Sequence, residues 1–419
     1  MPINKLKQLL SDRFVRNMGW LGVAELVNRI FRLATTVTLA RTFSPYDYGM
    51  VSVIYTIVEF ASVFALRAGI GAKIIQAEEQ ELEVICNTAY WLNWIVYGSL
   101  FIIQCVAAYP IAQFYGNNQL IWPICTLALI YLLCPVFVVQ SILIERENRL
   151  KVTALCNAIQ AILSNIILVI LAVLGMGVWA VVWSMVLTYP VWIVINYMNH
   201  PWRPPTSFKL ERWQEITSYG SKLLGVDLLG KIRMNLDYLI VGRFIGIEAL
   251  GLYFFAFNAG LGISQSVLNS ITVALFPHLC AARGNGKELK KQFFSSLKTI
   301  ALILVPLVFL QSSLSPFYVP IIFGQKWVAA IPVLILICLS AVPIALSRAT
   351  SQLLQTVDKT HIDFYWNMIF TAIFAASLLL TVREGIFWVA AAVLITQAVA
   401  MPIFTVWVSR FVFTKNLDL

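Results

Sequence analysis

The chain has 419 residues, of which 60% are hydrophobic and only 12% are charged, and its net charge is +10. Since a soluble domain carries about 25% charged residues, this composition excludes an ordinary soluble enzyme and indicates a helical protein that crosses a membrane many times. The seven cysteines have no paired spacing, so we interpret them as small apolar packing residues. Three histidines near predicted helix ends predict no metal site.

Apolar segments of membrane length recur along the whole chain and predict about twelve spans. Their predicted bounds are 17–41, 46–68, 84–109, 120–144, 153–174, 177–198, 219–241, 247–276, 293–318, 328–354, 361–381 and 386–409. The predicted fold class is an all-α polytopic membrane protein with two six-helix bundles. We expect an N-terminal lobe at 1–198, a cytoplasmic linker at 199–218 and a C-terminal lobe at 219–419. Residues 210–220, which begin in the linker, could form an amphipathic helix on the membrane surface.

Lys and Arg are distributed unevenly between the connections. If successive spans cross the membrane in alternating directions, eighteen Lys and Arg residues lie in the connections on one side and four in those on the other. Cytoplasmic loops are enriched in Lys and Arg, so both termini are predicted to be cytoplasmic. Orientation therefore explains the positive charge, and we expect no nucleic-acid partner.

Two predicted helices carry charges in matching order, which suggests an internal repeat. At an offset of 202 positions, Glu25, Arg29, Arg41 and Gly49 align with Asp227, Lys231, Arg243 and Gly251. A fainter match, at a slightly different offset, joins Leu143 and Arg149 to Leu353 and Lys359. Two halves of equal topology would be related by an axis along the membrane normal, as in some transporters.

Polar side chains form stripes on five of the predicted spans. Because a charge at the bilayer centre costs about 2.5–3.5 kcal/mol on insertion scales, we interpret the stripes as the lining of a polar cavity. Its candidate cations are Arg29, Arg32, Lys231, Arg233 and Arg348. Its other polar candidates are Glu25, Asn28, Glu59, Asp227, Asn235, Asp237, Asn258, Gln265 and Gln352. Asn269 aligns with Asn258 and Gln265, and Ser351 and Gln355 align with Arg348.

An alternative is that the charges neutralise each other along their helices. The pairs Glu25 with Arg29, Asp227 with Lys231, and Arg233 with Asp237 all have i,i+4 spacing.

Arg32 and Arg348 have no such partner and are the better candidates for an anionic ligand, although Arg348 could instead extend to the membrane surface. The carboxylates of Glu25, Glu59, Asp227 and Asp237 could carry a coupling ion, H⁺ or Na⁺. For Glu59 the alternative is a hydrogen bond to a neighbouring helix. No other cofactor is expected.

Several short motifs resemble one transporter family. They are RTFSPYDYGMVSV at 41–53, GIGAKIIQ at 69–76, AYWLNW at 89–94, GRFIGIEALGLYFFAFN at 242–258, ALFPHL at 274–279 and FGQKWVAAIPVLILI at 323–337. In this order they resemble polysaccharide exporters of the multidrug/oligosaccharidyl-lipid/polysaccharide (MOP) superfamily, closest to the colanic-acid-exporter-like branch of Wzx-type flippases.

The resemblance implies two bundles facing a central cavity and alternating access. It implies transfer of an undecaprenyl-pyrophosphate-linked oligosaccharide across the bacterial inner membrane, for exopolysaccharide, capsule or O-antigen synthesis. Cavity cations would hold the pyrophosphate, here Arg29, Arg32, Lys231 and Arg348. Many members carry further C-terminal helices, which this chain does not show.

The function predicted is therefore a lipid-linked-oligosaccharide flippase. The alternatives are a flippase for the peptidoglycan lipid precursor and a cation-coupled small-molecule exporter of the MATE type. A membrane enzyme is disfavoured, because the outer connections are short and contain no nucleophile–base pair. The expected partners are the lipid-linked oligosaccharide and membrane lipids, with a polysaccharide polymerase and co-assembly proteins as further candidates, and we expect a monomer.

Overall fold

The computed structural model of the protein describes residues 34–64 and 67–415. Within these ranges the chain is helical and contains no strand. A short helical stretch, 34–42, comes first. The helices that follow are α1 (Pro45–Phe64), α2 (Arg67–Gln76), α3 (Leu82–Tyr115), α4 (Ile121–Leu133), α5 (Pro135–Arg146), α6 (Leu150–Val173), α7 (Val178–Asn199), α8 (Trp213–Phe244), α9 (Ile247–Cys280), α10 (Gly286–Tyr318), α11 (Ile331–Thr356), α12 (Thr360–Thr381) and α13 (Ile386–Lys415).

The described helices confirm an all-α fold with many membrane spans. Eight are long and apolar enough to cross a membrane, or up to ten if each of two pairs bent by 52° counts as one span. Helix α8 is also of membrane length, but it carries four of the candidate charges. Most of the first predicted span lies outside the described residues. The side of the membrane on which the termini lie stays a prediction.

Contacts divide the chain into two compact units. The first unit ends at Met234, and the second begins at Asn235 and also includes Ser44–Gly49. The predicted divider at 199–218 stays a prediction.

The linker that follows α7 is fastened to helices of the first unit. Trp91 Nε1 donates to the carbonyl oxygen of Ser207 over 2.9 Å, and Arg149 Nη1 donates to that of Asn199 over 2.8 Å. Arg212 pairs with Glu81 at 2.6 Å. The predicted helix at 210–220 is present from Trp213 onward, where it forms the first part of α8, and its place on the membrane surface stays a prediction.

Helices α1 and α9 touch backbone to backbone near their first residues. A Cβ atom on Gly49 would overlap the carbonyl oxygen of Ile247, and one on Gly251 would overlap that of Pro45. Gly49 and Gly251 are separated by 202 positions, and so are Pro45 and Ile247, which makes the contact reciprocal. Glycine permits such close approach of membrane helices. The two turns that the repeat aligned therefore meet within the second unit.

The fainter sequence match is reproduced as one turn conformation. Asn148 and Asp358, which are 210 positions apart, have positive φ angles of 54° and 56°. The N–H of Arg149 donates to the carbonyl of Ile144 over 3.0 Å, and the N–H of Lys359 donates to that of Leu354 over 2.9 Å. Asn and Asp tolerate this left-handed backbone better than most residues. The α5–α6 and α11–α12 connections thus share one geometry.

Replacing either contact glycine by alanine should separate α1 from α9. We expect Gly49→Ala and Gly251→Ala each to lower stability by about 1–3 kcal/mol, because the added methyl group meets backbone that cannot move aside. Thermal unfolding in detergent measures this. Gly98→Ala in α3 is the control, since a Cβ there meets nothing within 4 Å. Equal effects of all three changes would contradict the packing argument.

The contact between His200 and Glu147 predicts that the stability of the fold depends on pH. His200 Nε2 lies 3.3 Å from Glu147 Oε1. Burial lowers the pKa of His200 below its ordinary value of 6.5, and the Glu147 carboxylate offsets this only in part. The folded chain then binds this proton less tightly than the unfolded chain, so stability is lost as pH falls below the ordinary value. Thermal unfolding between about pH 7.5 and pH 5.5 should show this loss, and His200→Gln should reduce it.

Candidate functional site

Glu59 of α1 and Lys231 of α8 form an ion pair in the first unit. Lys231 Nζ lies 3.3 Å from Glu59 Oε2, and the two side chains are 31% and 45% exposed. The predicted pairing of Lys231 with Asp227 along the helix is wrong, because Lys231 turns to the neighbouring helix. Asp227 is exposed and has no ion-pair partner among the described residues. The seventh and second predicted spans are thereby joined through a charge pair.

Asp237 is buried in the second unit, with only 6% of its surface exposed. Its Oδ2 accepts a hydrogen bond from the Tyr253 hydroxyl over 2.8 Å, and its Oδ1 accepts from the Tyr238 N–H over 3.0 Å. The predicted pairing with Arg233 is also wrong, since Asp237 forms no ion pair within the described ranges. Helical spacing could not reveal Tyr253, which lies on the next helix.

Arg348 of α11 meets the polar stripe of α9. Its Nη1 donates to Asn269 Oδ1 over 2.7 Å, and the side chain is half-buried. Among the described residues no carboxylate neutralises this guanidinium. One turn further along α11, the side-chain oxygen of Gln352 is buried without a hydrogen-bond partner in the part of the chain that the structure describes. The α9–α11 contact therefore presents a positive charge and an unused amide oxygen.

The remaining candidates are scattered over both units. Asn258 is exposed and donates to the carbonyl of Phe254 over 2.9 Å. Gln265 and Arg233 are half-buried, and Asn235 is buried. Glu25, Asn28, Arg29 and Arg32 lie outside the described residues.

One further polar contact joins α11 to α12, and no spacing within one helix predicts it. Ser351 of the Arg348 stripe donates to Asp363 Oδ1 of α12 over 2.8 Å.

No group of His, Cys, Asp and Glu able to hold a metal ion occurs among the described residues.

The fold is shared with solved transporters. An inward-facing multidrug resistance MATE family transporter of the MOP superfamily superposes with a TM-score of 0.74 at 15% identity, covering 92% of this chain and 94% of that one. The lipid II flippase MurJ, in an inward closed conformation, also gives 0.74, at 13% identity, with coverage of 92% and 86%. The helices and their polar stripes therefore define a multi-pass membrane protein with the fold of MOP superfamily transporters.

The chain belongs to the polysaccharide biosynthesis protein family, whose model matches residues 38–332. It is 24% identical to the teichuronic acid biosynthesis protein TuaB of Bacillus subtilis (strain 168), over 98% of this chain and 85% of that protein. The identity to the lipopolysaccharide biosynthesis protein WzxC of Escherichia coli (strain K12) is also 24%, over 88% and 75%. The succinoglycan biosynthesis transport protein ExoT of Rhizobium meliloti (strain 1021) is 24% identical, over 84% and 71%.

A double-mutant cycle tests which partner Lys231 uses. Because the pair is partly exposed, we expect a coupling of about 0.5–1 kcal/mol between Glu59→Gln and Lys231→Gln in thermal unfolding. The control cycle combines Asp227→Asn with Lys231→Gln and should give no coupling. Coupling in the second cycle but not in the first would show that Lys231 pairs with Asp227 along its own helix.

Proposed function

We propose that this protein transfers a lipid-linked oligosaccharide across the bacterial inner membrane for polysaccharide synthesis. The family, the relatives that act in teichuronic acid, succinoglycan and lipopolysaccharide biosynthesis, and the transporter fold support this. The lipid carrier is undecaprenyl pyrophosphate, as the sequence resemblance implies. The protein acts as a transporter and not as an enzyme.

The single observation that carries the proposal is the Arg348 contact. Asn269 is a neutral partner, so the guanidinium keeps its full positive charge. The remaining N–H groups of Arg348 have no partner among the described residues. Arg offers a planar fork that donates two parallel hydrogen bonds to a phosphate, and it stays charged when it is removed from water. In this proposal Arg348 binds the pyrophosphate.

Lys231 has a different role in the proposal. Its charge is compensated by Glu59, so a ligand phosphate must compete with a carboxylate for it. A proton or Na⁺ taken up by Glu59 would release Lys231 for the ligand. Asp237 is the second candidate for ion uptake, because it is a buried carboxylate with only a hydroxyl and an N–H as partners. Transport then proceeds by alternating access.

The second candidate function is flipping of the peptidoglycan lipid precursor. The solved lipid II flippase shares this fold, as does the MATE family transporter, and the fold alone does not select between their substrates. All three functions use the same architecture. The family model favours the polysaccharide substrate over the other two.

Reconstitution in vesicles tests the function directly. Purified protein is added to liposomes that contain a fluorescent undecaprenyl-pyrophosphate-linked oligosaccharide, and exposure of the sugar on the opposite leaflet is measured. We expect transfer under an imposed H⁺ or Na⁺ gradient. Absence of transfer under every gradient, with transfer of the peptidoglycan precursor instead, would establish the second candidate.

Changing the charge of Arg348 should reduce transfer without unfolding the protein. We expect Arg348→Gln to slow transfer at least tenfold, corresponding to about 1.4 kcal/mol, with Arg348→Lys in between. Arg383→Gln is the control, since it makes the same change in an exposed turn between α12 and α13. Transfer by Arg348→Gln at the rate of the control would exclude Arg348 from the site.

Asn269 allows a sharper test, because it can neutralise Arg348 without removing it. Asn269→Asp places a carboxylate where the amide oxygen now lies 2.7 Å from Arg348 Nη1. We expect this change to slow transfer as much as Arg348→Gln does, since the new ion pair competes with the phosphate. Asn269→Leu should transfer close to the native rate. Native transfer by Asn269→Asp would show that the charge of Arg348 is not used.

A further inference from the structure

The first turns of α10 carry four exposed lysines on one side of the helix. At 100° per residue, Lys287, Lys290, Lys291 and Lys298 lie within an arc of about 100°, and all four are exposed. The side chain of Asn285 caps the helix by accepting a hydrogen bond from the N–H of Lys287 over 3.1 Å. The cap fixes the start of the helix and with it the direction of the lysines.

The same side of α10 continues as an apolar stripe. Leu302 and Phe309 are 72% and 70% exposed, and Val305 and Phe294 are also exposed. Large apolar side chains on the outside of a membrane-spanning helix face acyl chains. The helix has 33 residues, which is about 50 Å, and the apolar layer is about 30 Å thick. The lysines therefore lie at the level of lipid head groups, on the side that faces lipid.

Helix α13 brings a fifth cation to the same place. The ring of Phe413 lies 6.1 Å from that of Phe293 and 6.2 Å from that of Phe294. Arg410 is exposed and shares its helix face with the exposed Val406. Two neighbouring lipid-facing stripes thus end in positive charge.

These five cations have no acidic partner among the described residues. The carboxylate of Glu288, in the first turn of α10, accepts a hydrogen bond from Gln292 over 3.3 Å. Arg283, which precedes the helix, pairs with Asp358. Neither of these acids forms an ion pair with the five cations, so the positive charge of the set is left for an external anion.

We propose that Lys287, Lys290, Lys291, Lys298 and Arg410 bind the phosphate groups of anionic phospholipids, whose acyl chains lie along the exposed residues of α10 and α13. We call this set the α10–α13 basic surface. Basic residues next to a membrane attract anionic lipids, and the apolar stripe supplies the contact for the acyl chains. The ligand is a lipid of the surrounding bilayer and not the transported lipid.

The lipids that remain bound to the purified full chain test this proposal. Native mass spectrometry in neutral detergent compares added phosphatidylglycerol with phosphatidylcholine of the same chain length. We expect phosphatidylglycerol to be retained at least tenfold better. The variant K287Q/K290Q/K291Q/K298Q/R410Q should lose this preference, while its thermal midpoint in lipid-free detergent stays unchanged because the replaced side chains are exposed.

A second variant, which loses the same number of positive charges elsewhere, tests whether lipid binding depends on this surface or only on the net charge of the protein. K73Q/K151Q/K209Q/K359Q/R203Q removes five cations from connections predicted to lie on the same side of the membrane. It should keep the preference for phosphatidylglycerol. Equal loss in both variants would overturn the proposal, as would full retention by the first variant. Retention of lipid by the first variant with loss of an acidic co-purifying protein would assign the α10–α13 basic surface to a protein partner instead.

Discussion

A charge on a membrane-spanning helix is stable only where a polar partner meets it, and this requirement determines how the polar helices are arranged. Three solutions occur among the described residues. Lys231 is compensated by a carboxylate on another helix. Asp237 is buried against a hydroxyl and an N–H, and Arg348 is held by a neutral amide. Of the two cations, only Arg348 is left without a carboxylate partner in the described part of the chain, and this is why it is the strongest position for an anionic ligand.

The reciprocal contact between α1 and α9 adds a second constraint. The two helices begin after aligned turns, and each places a glycine against the backbone of the other. Such a contact needs no polar group, and it depends on van der Waals packing at short range. It gives the internal repeat a physical meaning, because the same sequence position is used twice in one contact.

The solved structures show the architecture of this protein, and the relatives indicate its class of substrate. The MATE family transporter and MurJ have the same fold at 15% and 13% identity, so they define the architecture and not the substrate. The family model over residues 38–332 and the relatives in polysaccharide biosynthesis point to the class of substrate. In the proposed function the Arg348 contact links the fold to the substrate, since a pyrophosphate would need a cation that is not already neutralised.

The sequence by itself determined the helical membrane class, most of the span positions and the candidate polar residues, because hydrophobic length and helical periodicity are local properties. It also determined the repeat through matched glycines and charges. The tertiary structure decided which charges are paired. Asp227, Lys231 and Asp237 had suitable partners along their own helix, yet Lys231 and Asp237 use Glu59 and Tyr253 of neighbouring helices. An i,i+4 pair on one helix contributes only about 0.2–0.5 kcal/mol, so packing between helices selects the partner, and no spacing within one helix can reveal it.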